Sequence, residues 1–468
     1  AECFLKGIYM SKHTCFGTTH FYTRALSIAL PVMAQLLVQS FVSLIDNFMV
    51  AGLGDIKMAG VNTAGMIIFV FIILVNTLCS AGGIFMSQFR GAKDIEGMQQ
   101  SLRFKLLLTG TAGLAFTIIG LIAPRGLFRL MLTVNTDAEA IIDQAVRYSR
   151  AVAFSGILMV FSQSLASSLR DIEIVRPPLV ISVIATLVNT FFNWVFIFGN
   201  LGCPRLEVEG AGIATVIARA AELILFIGYV VVKKPPFLFN ICKFFNIKVQ
   251  LFGTIIKKST MILYSELTWA LAEAVSTALY NTRGGAEVVS GMSAGFAIAN
   301  LFFICFSGIV TASSVILGQE LGAGRLQEAK KYKNWILSGS VLFGFIFMAA
   351  GFCTVGLIPF VFKNLSGGSQ AIARGLIITA AAYLPLWAYL NAQYAISRTG
   401  GDTTMGVICD TVANILFVGG IVLLVRFTAL GPVAMYAIVK ISDAVKAVIA
   451  HFWLKKERWL VNLTSDKK

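Results

Sequence analysis

Polar positions are the exception along most of this chain. Apolar runs of roughly 20 residues recur from about residue 24 onward, separated by short polar stretches. A run of that length crosses a hydrocarbon core about 30 Å thick. Inside lipid it must be helical, because every backbone amide needs a partner within the segment. A transmembrane barrel would instead show alternating segments of about 10 residues. The pattern predicts twelve spans: 24–52, 58–85, 101–121, 147–169, 178–199 and 211–233, then 259–282, 288–316, 333–361, 372–397, 404–425 and 433–454. The first two exceed a minimal span, so they tilt, bend or protrude. The expected fold class is an all-α polytopic membrane protein with twelve transmembrane helices.

The pattern also repeats. Ser87–Asp94 reads SQFRGAKD and Gly318–Arg325 reads GQELGAGR, each after two long apolar segments. Gln88 and Gln319, Gly91 and Gly322, Ala92 and Ala323, and further back Gly60 and Gly291, all stand 231 residues apart. Ser168-Leu169-Arg170 and Ile396-Ser397-Arg398 follow at a spacing of 228, and Gly210 and Gly431 at 221. A shorter loop before the last span of the second half accounts for the contraction. The expected organisation is two homologous six-helix bundles around a central cavity. The lobes are 21–233 and 259–454, with a cytoplasmic linker at 234–258 and a cytoplasmic tail at 455–468. Residues 1–20 match this pattern poorly and are read as a separate tail. Membrane chains built as an internal repeat are usually transporters, since two bundles can rock about a site held between them.

Composition agrees: 57% of residues are apolar and only 13% charged, against about a quarter charged in soluble domains. Mean hydropathy is +0.81. The net charge of +15 invites a nucleic-acid reading, but most lysines and arginines fall in loops on one side of the predicted spans. By the positive-inside rule this places both termini in the cytoplasm. Lys233, Lys234, Lys243, Lys248, Lys257 and Lys258 in the linker are read as a topology determinant that can also meet anionic headgroups. The eight cysteines form no Cys-x-x-Cys, and the three histidines, His13, His20 and His451, lie near the ends. No metal or haem site is expected, and no cofactor.

Each half ends on a span with an internal charge pair, Arg219 with Glu222 and Lys440 with Asp443. A spacing of three puts each pair on one helix face, and the repetition reads as structural neutralisation.

Several segments resemble the multidrug and toxic compound extrusion (MATE) family. They are LPVMAQ at Leu30–Gln35, SLIDNFMVAGLG at Ser43–Gly54, SQFRGAKD at Ser87–Asp94, VNTFFNWVFIFG at Val188–Gly199, GAGIAT at Gly210–Thr215, GQELGAG at Gly318–Gly324, SRTGGDT at Ser397–Thr403 and FWLKKERWLVNLT at Phe452–Thr464. The resemblance covers the chain from about residue 22. It implies a multi-pass antiporter of the plasma membrane working by alternating access. Its cargo would be organic, mainly cationic and amphipathic compounds, exported against inward H+ or Na+ flow.

Charges within a bilayer cost roughly 2.5–3.5 kcal/mol on insertion scales, so each needs a reason. Asp46, in the first span, has no cation within a helical turn on its own helix, and the family places its ion-responsive aspartate here. A carboxylate withdrawn from water can take up a proton or ligate sodium. Asn189 and Asn193, spaced i, i+4 in the fifth span, share a face and supply polar surroundings. Many family members carry aspartate at the position of Asn193, so this chain departs from the pattern there. Pro31 lies fifteen residues before Asp46, and a proline in a helix interior bends it. Glu266 and Glu273 in the seventh span, with Asp410 in the eleventh, form a candidate second acidic or substrate site. Rings inside spans, among them Tyr280, Phe296 and Trp387, can hold a flat cation, though most are read as packing.

The expected function is therefore secondary active multidrug efflux by a protein that is not an enzyme, binds no nucleic acid and is monomeric. The alternative is a lipid or lipid-linked oligosaccharide flippase of the same superfamily. Such proteins tend to line their cavity with basic residues, whereas the acids here favour cationic cargo.

Overall fold

The computed structural model describes residues 16–131, 138–363 and 365–465; residues 1–15 of the expected N-terminal tail and 466–468 of the C-terminal tail lie outside the described residues. Every regular element among the described residues is helical. In chain order they are α1 Thr19–Ala51, α2 Asp55–Gly91, α3 Ile95–Ile122, α4 Pro124–Met131, α5 Ala138–Val152, α6 Ser155–Asp171, α7 Arg176–Phe198 and α8 Glu207–Lys233. There follow α9 Val249–Asn281, α10 Ala286–Gly322, α11 Leu326–Thr354, α12 Ile358–Val361, α13 Gly367–Thr399, α14 Thr404–Phe427, α15 Pro432–Val439 and α16 Ser442–Lys455.

Nine of these segments are long and apolar enough to cross a membrane, with α11 and α12 counted as one, and the bent pair α5–α6 makes a tenth. The remaining two of the twelve expected spans are present as helix but fall short of that measure for visible reasons. The seventh, α9, carries Lys257, Lys258, Glu266 and Glu273 along its length. The twelfth is interrupted at Lys440 and Ile441, between α15 and α16. Helix ends overrun the apolar runs by several residues in most cases, because a helix in a bundle continues through the polar boundary. α9 begins at Val249, well inside the expected linker 234–258. The rest of that linker is docked rather than free. Gln99 and Gln100 donate to the carbonyls of Leu238 and Asn246, both at 2.9 Å, and the Arg103 guanidinium lies 4.6 Å from the Phe239 ring centre.

The repeat is visible in backbone geometry. After α2, Ala92 has φ −74° and ψ −5°; after α10, Ala323 has φ −73° and ψ −4°. Lys93 and Gly324, again 231 apart, both turn left-handed, at φ 55° and 74°. Glu173 and Gly401, at the spacing of 228, do the same at 71° and 80°. In each case a backbone N–H beyond the turn reaches back to close it. Asp94 to Phe89 and Arg325 to Glu320 match at 2.9 and 3.0 Å, as do Ile174 to Leu169 and Asp402 to Ser397 at 2.9 and 3.0 Å. These are left-handed helix stops that satisfy the last carbonyls of a helix. In the first half the next helix is also capped, by Asp94 accepting from the Gly97 amide at 3.0 Å.

The chain divides into two compact units, Pro31–Glu266 and a second made of residues up to Leu30 together with Leu267–Lys468. The partition falls within α1 and within α9, which are equivalent helices of the two repeats. In the N-terminal unit α6 packs on α2, α3 and α8, and α7 pairs with α8. In the C-terminal unit α13 packs on α10, α11 and α16, and α14 pairs with α16, which is the same plan. Gly60 and Gly291 serve the same purpose in each. A Cβ on Gly60 would meet Gln144 at 2.6 Å, and one on Gly291 would meet the Ser369 carbonyl at 2.7 Å, so both sites demand a residue that lets helices touch. The halves differ at two breaks. α5 and α6 are bent by 52°, and the Thr117 hydroxyl bonds the carbonyl of Ala153 at 3.0 Å in the intervening turn. The counterpart α13 is continuous through Pro385, whereas α15–α16 is broken where α8 is whole.

Candidate functional site

Asp46 lies in the last turns of α1, in the stretch assigned to the N-terminal unit. α7 reaches it from the side, because Asn189 and Asn193 project from one face one turn apart. The Asn193 amide nitrogen donates to Asp46 Oδ1 at 2.7 Å and to Asn189 Oδ1 at 3.3 Å. Asn193 is 2% and Asn189 8% exposed. The three residues singled out in the sequence therefore form one hydrogen-bonded group. Having spent its nitrogen on two acceptors, Asn193 leaves its own carbonyl oxygen buried with no hydrogen-bond partner among the described residues. A buried acceptor without a donor is uncommon in folded proteins. Together with the Asp46 carboxylate and the Asn189 oxygen it makes a set of oxygens, which is the donor chemistry that suits a hard cation or a proton.

One neighbour was not found from sequence. Tyr148, on α5, packs against the cluster of Val50, Ile197 and Ala211, one turn beyond Asp46 on α1 and Asn193 on α7. Tyr148 carried no signal: a tyrosine at the end of an amphipathic run reads as an interface residue until α5 is seen to turn inward. Pro31 stands inside α1, at the first residue of the N-terminal unit. Its ring leaves the Ser27 carbonyl without the usual helix donor.

The other acids behave differently. Glu273 on α9 is ion-paired with Lys440. Asp410 on α14 accepts from Lys446 at 3.0 Å and from the Tyr394 hydroxyl at 2.8 Å. The sequence reading grouped Glu266, Glu273 and Asp410 as an acidic site, but Glu273 and Asp410 are each neutralised by a lysine from the last span. The lysines were invisible to a search along each acid's own helix because they come from another one. Glu266 is half-buried and ends the N-terminal unit. The expected pair Arg219–Glu222 forms at 2.7 Å. Its counterpart does not follow the same plan: Lys440 turns to Glu273, and Asp443 accepts from the Trp387 indole at 2.8 Å and lies 3.9 Å from Lys446. The break between α15 and α16 separates the faces that an unbroken helix would have aligned. In the tenth span, the Asn391 amide donates to the Trp387 carbonyl at 2.9 Å and the Gln393 amide nitrogen to that of Ala447 on α16 at 3.1 Å, while the Gln393 side-chain oxygen has no hydrogen-bond partner among the described residues.

A further polar group holds one end of the N-terminal unit. Lys105, fully buried, donates to Asp171 at 2.6 Å, Ser167 at 2.9 Å and Ser168 at 3.3 Å. Arg170 donates to Gln35 at 3.3 Å, and Gln35 to Ser182 at 2.7 Å. Lys105 and Asp171 pair with each other and Arg170 is held by the Gln35 amide oxygen, which marks a structural network. Asp46 stands apart from all of these acids. Its hydrogen bond comes from an amide, and no cation lies in ion-pair distance of it among the described residues.

The chain spans 64–66% of the length of the NorM multidrug resistance proteins of Vibrio species that it matches. That of Vibrio cholerae is 24% identical over 64% of this chain. The probable multidrug resistance protein YoeA of Bacillus subtilis is 23% identical over 86% of each chain. A crystal structure of a MATE protein in complex with MaL6 superposes with a TM-score of 0.83 at 20% identity, covering 93% of this chain and 96% of that one; this likeness shows the fold. The MatE family model matches twice, over residues 31–195 and 262–423. Its two blocks start 231 residues apart, the spacing of the first repeated motif. With a match over most of its length and in both halves of its repeat, this multi-pass membrane chain belongs to the MatE family.

Proposed function

We propose that this protein is a secondary active exporter of organic, mainly cationic amphipathic compounds, driven by inward H+ or Na+ and working by alternating access in the plasma membrane. The coupling group in this reading is Asp46 with Asn189 and Asn193. The observation that carries it is a carboxylate inside a helix bundle that accepts from the Asn193 amide and has no counter-cation among the described residues, with the amide oxygen of Asn193 buried and unpartnered. An acid kept in such a place without a lysine or arginine is costly to the fold, and reversible occupation by an ion gives the cost a purpose. Ion binding there shifts the conformational equilibrium only by its differential affinity for the two states. Multidrug resistance proteins among the relatives support drug-like cargo.

The test is efflux of ethidium from membrane vesicles under separately imposed proton and sodium gradients, comparing the native chain with Asp46→Asn. The expected outcome is gradient-driven efflux by the native chain and its loss in the variant, with the effective gradient naming the ion. Unchanged efflux in a folded Asp46→Asn protein would remove Asp46 from the coupling step.

A further inference from the structure

The C-terminal unit contains a cation cage that is filled by the protein itself. Lys440 sits where the last span breaks. The Lys440 amide still completes a helical bond to Tyr436, but the next ones are three-residue turns, Ile441 to Ile438, Asp443 to Lys440 and Ala444 to Ile441. Such tightening inside a helix re-aims its side chains and often marks a functional position. The Lys440 ammonium is thereby directed into a group of rings. It lies 4.5 Å from the centre of Phe417, 5.5 Å from Tyr436 and 5.9 Å from Trp387, and it ion-pairs with Glu273. Three aromatic faces within about 6 Å of a cation, closed by a carboxylate, are the arrangement by which proteins recognise ammonium ligands.

The walls are prepared further than a lysine alone requires. Glu273, Ser276 and Tyr280 follow one another on α9 at i, i+3 and i+7, and so share a face. The Tyr280 ring meets Tyr436 at 6.0 Å. The Ser276 and Tyr280 hydroxyls are buried, at 0% and 1% exposure, and neither has a hydrogen-bond partner among the described residues. A lysine used only for neutralisation needs Glu273 and nothing more. The ring cage and the unused hydroxyls fit a ligand that varies.

We infer that the Phe417–Tyr436–Trp387–Glu273 cage is a binding site for small primary and quaternary ammonium compounds, and that Lys440 is its tethered resident, displaced when such a compound enters. The inference rests on the exporter reading for its biological use, but its geometry and its test do not. Tethering gives Lys440 a local concentration of about millimolar or more, so free ammonium compounds bind the native cage weakly. Removal of the lysine side chain exposes the full affinity.

The experiment is equilibrium binding of n-butylammonium and of tetramethylammonium to the full chain purified in detergent, at constant ionic strength, followed by calorimetry. Lys440→Ala, which removes the side chain that n-butylammonium mimics, is expected to bind at least tenfold more tightly than the native chain. Lys440→Ala/Glu273→Gln is expected to lose that gain. Equal binding by native and Lys440→Ala proteins overturns the inference, as does a gain that survives in the double variant. Should Lys440→Ala fail to fold, the native chain answers by amine acylation read by mass spectrometry. Lys440 is expected to be protected alone and modified when tetramethylammonium is added, and unchanged protection overturns the site. Lost efflux with intact binding would sink the exporter reading alone; absent binding with intact efflux would sink the cage alone.

Discussion

At the scale of single residues, the acids of this chain separate by what holds them. Asp410, Glu222 and Glu273 each meet a basic side chain, while Asp46 meets Asn193. Sequence spacing identified Asp46, Asn189 and Asn193 because all three lie on long, clean apolar runs where any polar side chain stands out. It could not match Asp410 with Lys446, which are 36 positions apart and joined only by packing of α14 on α16. Buried pairing carries its own consequence at Lys105. All three ammonium donors are in use, and the residue is fully buried. Breaking one side of a buried ion pair costs about 3–5 kcal/mol because a charge is left uncompensated. Asp171 retains some exposure, so the lower end applies. Lys105→Met is expected to destabilise the protein by about 3 kcal/mol, seen as a lower thermal midpoint in detergent, with Lys105→Met/Asp171→Asn recovering part of the loss.

At the scale of elements, the repeated motifs prove to be helix stops. Ser87–Asp94 and Gly318–Arg325 end α2 and α10 with the same backbone turn, which is why their spacing survived while their side chains diverged. Lys93 adopts the left-handed conformation that Gly324 takes more easily. A second case joins two stretches that the sequence offered separately. Gly400 of the SRTGGDT segment lies against the backbone of Trp459, in the tail segment, so closely that no Cβ can be accommodated. Trp459 is itself 1% exposed and bonds the Leu454 carbonyl at 3.2 Å. The tail expected beyond residue 455 is thus packed structure as far as Trp459. Gly400→Ala must push the tail away, since the obstacle is backbone and cannot rotate aside. The expected result is faster limited proteolysis after Lys455, with the helical core intact. Unchanged cleavage would show that the turn itself yields instead.

At the scale of the whole molecule, the duplication organises everything else. The family match falls in two blocks with the repeat spacing, and the two units share one packing plan. Charge distribution adds orientation to that plan. With lysines and arginines concentrated in alternate loops, both ends of the chain are expected on the cytoplasmic side. A cysteine placed at Ser465 in a chain freed of its other cysteines should react with a membrane-impermeant maleimide only after permeabilisation. Labelling in intact cells would reverse the orientation.

The sequence by itself determined the class of fold, the number of spans, the repeat and which polar side chains fall within the spans. All of these follow from the cost of placing backbone or charge in lipid, which is local and legible along the chain. Tertiary structure decided the pairings. It brought Asn193 to Asp46 and Lys446 to Asp410, and turned Lys440 into a ring cage through a break in its helix. Pairing depends on which helix faces meet and where a helix bends. Those are set by close contacts such as Gly60 on α5 and Gly291 on α13, which no period in a single sequence encodes.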